Sequence, residues 1–158
     1  MQFFSSFIYS KSNKSWFLIG MLVMCIPMAI IAHKQNSKPD LPSSAYNWDT
    51  VKVVKTKNGE KRQFIDAPTA TLDNLEIHVS TLNPGEIAHP PHQHPEEELM
   101  IVKEGTVEAL INGKLVTVGT GSIVFQAANT LHNTKNVGTV PATYYAIKWK
   151  SGKTGGQK

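Results

Sequence analysis

The chain has a single cysteine, Cys25, set in its most apolar stretch. An intrachain disulfide is therefore impossible, and a cysteine-ligated metal site is excluded. Long basic runs are missing too. The net charge of +4 comes from lysines scattered along the sequence, so the charged stripe of a nucleic-acid binder is absent and no nucleic-acid partner is expected. Beyond residue 45 no segment keeps a helical period long enough to build a bundle. The Cys and Trp pattern of an immunoglobulin-like sandwich is absent, and no internal repeat is visible. What remains is 158 residues, 41% of them apolar, enough for the core of one domain of ordinary size.

The apolar content is unevenly placed. After a polar and basic region at residues 1–15, residues 16–32 read WFLIGMLVMCIPMAIIA without a charge, flanked by Lys14 on one side and His33 and Lys34 on the other. This is a membrane-directed segment. About 17 to 25 apolar residues span a bilayer as a helix, whereas a signal-peptide core needs about 7 to 15, so the length leans towards an uncleaved transmembrane anchor. Pro27 shortly before Ala32 keeps a cleaved signal sequence open. Either reading places the remainder outside the cytoplasm, membrane-anchored or exported. No twin arginine occurs, and Met24 before Cys25 argues against a lipid-modified cysteine. Residues 33–45, containing NSKPDLPSS, read as a linker, residues 46–150 as the folded domain and residues 151–158 as a flexible tail.

Within the domain, short β-rich runs are punctuated by Gly, Pro and Asn. Leu75, Ile77 and Val79 alternate with Glu76, His78 and Ser80. Val107, Ala109 and Ile111 lead into Asn112-Gly113, followed by Leu115, Val116 and Val118. Asn-Gly between two such runs signals a type I′ hairpin, because both residues tolerate positive φ. Further strands are expected over residues 98–103, 122–126, 131–137 and 142–149. Eight or nine short strands suit a jelly roll or related closed barrel, which also hides exposed edges. The expected fold class is all-β, preceded by one N-terminal hydrophobic membrane helix.

Five of the six histidines fall in this region, three of them in the segment HPPHQHPEEE at residues 89–98. Residues two apart in an extended segment project to the same side, so His92 and His94 can aim at one point, with Glu98 entering the next strand on a compatible side. Two imidazoles and a carboxylate suit a divalent transition metal, whereas Ca or Mg prefers oxygen donors almost exclusively.

At these residues the sequence resembles the cupin superfamily. Gly85, His92, His94, Glu98 and Gly105 match its first motif with one extra residue after Gly85; Gly121, Ala127, Asn129, His132 and Asn136 occupy the positions of the second. Ala127 and Asn129 replace Pro and Gly there, and Asn tolerates the left-handed turn that glycine would make. The resemblance covers residues 72–149 and implies a cupin double-stranded β-helix, a jelly-roll barrel, acting as a homodimer. It further implies one metal ion held by His92, His94, Glu98 and His132, with Fe or Mn expected and Zn, Ni or Co as alternatives.

Four ligands on an ion that prefers six would leave positions for water or substrate, the mark of a catalytic site. The expected function is metal-dependent chemistry on a small polar metabolite, of oxygenase, isomerase or amidohydrolase type. The alternative is a non-catalytic, membrane-anchored small-molecule or sugar-binding module. His78, His89, Gln126, Tyr144 and Tyr145 are candidate pocket residues because they lie beside the ligands. His78 is also a candidate partner for a ligand, through its shared strand face with Glu76.

Overall fold

A computed structural model describes residues 38–152. The predicted membrane helix at 16–32, the region before it, residues 33–37 of the linker and the tail from residue 153 lie outside the described residues. Among the described residues no helix is long and apolar enough to cross a membrane. The only helical element among them is a 3-10 turn, Trp48–Thr50, opened by Asn47, whose side-chain oxygen accepts the Asp49 N–H at 2.9 Å.

Nine strands follow: β1 Val53–Thr56, β2 Gly59–Ala67, β3 Asn74–Leu82, β4 Glu97–Glu104, β5 Thr106–Ile111, β6 Lys114–Gly119, β7 Ile123–Gln126, β8 Thr134–Asn136 and β9 Ala142–Lys150. They form a six-stranded sheet in the order β1-β2-β3-β9-β4-β7 and a three-stranded sheet in the order β6-β5-β8. Every pairing is antiparallel. An antiparallel strand can bury one face and leave the other to solvent, and β7 does so, with Val124 and Gln126 buried and Ile123 and Phe125 exposed. Leu82, Met100, Val102, Val107, Ala109, Val124, Ala142, Tyr144 and Ala146 form the core.

Two turns show why the sequence permits this path. The β5–β6 hairpin turns on Asn112 (φ 49°) and Gly113 (φ 76°), as its Asn-Gly signature predicts. Gly59 opens β2 for a different reason: a Cβ there would lie 1.9 Å from the Thr81 carbonyl oxygen on the neighbouring strand. The aromatic ring of Trp48 packs on Phe64 with centroids 6.1 Å apart and carries Arg62 and Lys103 over its faces, fixing the chain's entry to the barrel.

Two expectations change in detail. The strand predicted over residues 131–137 is limited to Thr134–Asn136, with His132 joined to His92 by an isolated bridge. Part of the predicted linker is attached to the body, since the Leu41 N–H donates to the Pro68 carbonyl at 2.8 Å.

Candidate metal centre and cavity

The segment between β3 and β4 runs antiparallel to β8 and its approach. Gly85 N–H donates to the Asn136 carbonyl, Asn136 N–H to Glu86, Ala88 N–H to Thr134, and His92 and His132 exchange both backbone bonds at 3.0 and 2.9 Å. Residues that exchange both bonds sit directly opposite one another and project to one side of the ladder. Backbone pairing therefore brings together two histidines far apart in sequence. Their ring centroids are 4.4 Å apart, and that of His94 is 5.4 Å from His92 and 4.8 Å from His132. Asn129, at φ 59°, makes the left-handed turn before His132, and its N–H donates to the His94 carbonyl at 2.7 Å. The two histidine-bearing segments are thus tied to each other.

His92, His94 and His132 each offer a ligand atom within 4.8 Å of the others. The hydrogen bonding sets the protons on two of them. His94 Nδ1 pairs with the Glu96 carbonyl at 3.1 Å and His132 Nδ1 with the Thr130 carbonyl at 2.8 Å. A carbonyl only accepts, so each Nδ1 carries the hydrogen and each Nε2 presents a bare lone pair. Both Nε2 atoms, and His92 Nδ1, are buried without a hydrogen-bond partner. Burying unpaired polar atoms costs about 1–3 kcal/mol each, and a cation is the group that would satisfy three of them at once. The donor set thus fits a divalent transition metal. Glu98 Oε2 stands 3.5 Å from His94 Nε2, but Glu98 is not part of the group whose ligand atoms all lie within 4.8 Å of one another, which is formed by the three histidines.

The cavity next to these groups has a volume of about 450 Å³. His92, His132, Glu98, His89, His78 and Tyr144 all line it. The His89 ring meets His92 edge to face at 3.9 Å, and burial lowers the proton affinity of both rings. Burial also pushes the Tyr144 phenol well above its ordinary value, and its hydroxyl bonds with Ser80. Tyr145 is not part of the lining. Neighbouring strand residues face opposite sides, and its ring packs near Phe64 at 6.5 Å. Gln126 is buried opposite Glu98 on β7, but its amide donates to the Leu110 carbonyl at 3.3 Å and it does not line the cavity.

Residues not singled out from the sequence complete the wall. Thr56, Lys57, Asn58, Glu60 and Lys61 come from the β1–β2 hairpin, and Lys148 from β9. Asn58-Gly59 is the same dipeptide as Asn112-Gly113, and that signal could have located the hairpin. Lys148 registers with Glu76 on one side and Glu98 on the other. Its ammonium donates to Glu76 at 2.6 Å.

Residues 78–148 match the family described as Cupin domain (Cupin_2). No curated protein matches the sequence. Among solved structures, KdgF from Halomonas sp. superposes with a TM-score of 0.58 at 16% identity, covering 71% of this chain and 97% of that one. A sugar phosphate isomerase of the cupin superfamily from Silicibacter pomeroyi gives 0.57 at 15% identity, over 68% of this chain and 76% of that one. The polyketide cyclase RemF from Streptomyces resistomycificus gives 0.57 at 18% identity, over 68% and 80%. At such identities the solved structures establish the fold, an all-β cupin-like barrel, in agreement with the similarity of residues 78–148 to the Cupin domain family.

Proposed function

We propose that the domain holds one divalent transition-metal ion through His92, His94 and His132, with Glu98 as the fourth ligand, and acts on a small polar molecule in the adjoining cavity. The observation that carries this reading is that His92, His94 and His132 each bring a ligand atom within 4.8 Å of the others, and each also has a buried ring nitrogen without a hydrogen-bond partner. When bound, the ion would supply Lewis acidity towards an oxygen of the ligand. The chain's own residues bind and orient: Lys57, Lys61 and Lys148 put positive charge on the wall, which favours a ligand with a carboxylate, phosphate or enolate oxygen. Lys148 and Lys61 also face Glu76, at 2.6 and 3.5 Å, so of these three Lys57 is the one without an acidic partner among the described residues.

Fe or Mn is the ion this reading favours, with Zn, Ni or Co as alternatives that the same donors accept. The resemblance also implies a homodimer, and the exposed Ile123 and Phe125 on the edge strand β7 support a face covered by a second copy. The uncharged stretch at residues 16–32 supports a membrane-anchored or exported protein with the barrel outside the cytoplasm.

Elemental analysis of the purified full chain tests the central claim. About one equivalent of metal in the wild type, lost in His132→Ala, is expected. A folded wild type that takes up none after incubation with Fe(II), Mn(II) and Zn(II) would remove the proposal.

A further inference from the structure

The groups assigned to metal binding leave one titratable cluster on the cavity wall unused. His78 lies on the inward face of β3 and lines the cavity, registered against Ala146 of β9. Its Nδ1 is 2.9 Å from Glu76 Oε1, while its Nε2 makes no hydrogen bond among the described residues. Glu76 also receives Lys148 at 2.6 Å and Lys61 at 3.5 Å. The His78 bond, followed by Lys148, holds its carboxyl far below the usual range despite burial, so it is ionised and only accepts. The hydrogen between the two residues is therefore on Nδ1, and the lone pair of Nε2 is the one left for the cavity.

We propose that His78, oriented by Glu76, accepts a proton from the molecule bound at the three-histidine centre, so that two walls of one cavity serve one ligand. This rests on the metal-site reading above. In the step, an O–H, N–H or acidic C–H proton of the ligand passes to His78 Nε2 and its bonding electron pair stays on the ligand. Nδ1 keeps its hydrogen and donates it to Glu76, whose carboxylate answers the imidazolium charge. The groups facing the dyad are Lys61 from β2 and Lys148 and Tyr144 from β9. His78 is the catalytic residue here, and Glu76 is a positioning residue that selects its tautomer.

The test is long-range proton–nitrogen NMR on the full chain labelled with ¹⁵N-histidine, with zinc and after its removal, His78 being assigned by the signals lost in His78→Asn. At about pH 8, His78 is expected as the Nδ1–H tautomer with or without metal. Glu76→Ala should move the tautomer ratio at least about tenfold towards Nε2–H, as for loss of one charge-assisted hydrogen bond. Glu76→Gln, whose amide oxygen still accepts, should restore it and also guards against misfolding of the alanine variant. Acetohydroxamic acid added to the zinc-loaded chain should shift the His78 Nε2 signal, and added to zinc-free chain should not. An Nε2–H tautomer in the wild type, an unchanged ratio in Glu76→Ala, or hydroxamate bound without a shift at His78 would each overturn the dyad. Failure to bind zinc at all overturns the metal-site reading instead, and with it the shared ligand, whatever the tautomer.

Discussion

Replacing His132 with leucine would separate the contribution of the proposed metal ion from that of the fold. His132 is 3% exposed, and its Nε2 is one of the three orphaned nitrogens. In metal-free protein the change removes a buried unpaired acceptor that costs about 1–3 kcal/mol and loses one neutral hydrogen bond, to Thr130, worth about 0.5–1.5 kcal/mol. The gain is at least comparable to the loss, so metal-free His132→Leu should range from about 0.5 kcal/mol less stable than the wild type to about 2.5 kcal/mol more stable, unlike the loss of about 2–5 kcal/mol usual when a buried side chain is cut back. With metal the balance reverses. At a free concentration about 100 times its Kd, a ligand stabilises by about 2.7 kcal/mol, whereas a variant binding about 100-fold more weakly gains only about 0.4 kcal/mol. The gap of about 2.3 kcal/mol corresponds to roughly 10 °C in Tm for a domain of this size. Differential scanning calorimetry with EDTA and with a zinc series reads both limbs. Equal metal-induced shifts in the two proteins, or a metal-free variant more than about 3 kcal/mol below the wild type, would refute the argument.

Other residues give independent checks. Asn136 is fully buried, donates to the Leu82 and Val140 carbonyls at 2.9 and 2.8 Å and accepts the Gly138 N–H at 2.9 Å; Asn136→Leu strips all three, so urea unfolding should show a loss of about 3–5 kcal/mol. At Asn129, with φ 59°, glycine should be tolerated while alanine costs about 1–2 kcal/mol; a chemical-denaturation series that ranks them equally would show that the turn has relaxed. Glu76 titrates lower in the folded protein than its ordinary 4.5, first because of the His78 bond. The native state then binds fewer protons than the unfolded chain, so this contribution is whole above pH 4.5 and fades as pH falls below it. The stability gap between wild type and Glu76→Gln should shrink on titration from about pH 6 to about pH 3, and a constant gap would remove the pairing.

Much of this fold is legible in the sequence, for reasons of period and turn chemistry. Alternation at Leu75, Ile77 and Val79 and the Asn112-Gly113 pair locate β3 and the β5–β6 hairpin, because strand faces and positive-φ turns leave local marks. His92 and His94 are legible for the same reason. His132 is not local to them: only the motif resemblance joins it, and the physical cause is a backbone bridge between distant segments. Tyr144 and Tyr145 show the limit most plainly. Both sit on a strand, and which of the two faces inward depends on register with β3 and β4, a long-range property that one strand's sequence does not carry. The lysines of the cavity went unread because they look like ordinary solvated charge.

The β1–β2 hairpin carries a consequence of its own. Its tip is fastened from both sides, with the Asn58 amide donating to the Ile87 carbonyl and the Asn83 N–H donating to the Asn58 carbonyl. Yet residues 53–67 lie wholly upstream of the stretch that matches the family, residues 78–148. This part of the cavity rim and the histidine centre therefore lie on separate pieces of chain. Substitutions at Thr56, Lys57 or Lys61 can reshape the mouth of the cavity while leaving the histidines, their tautomers and the bridge between His92 and His132 as they are, so that what the cavity admits is set by one hairpin.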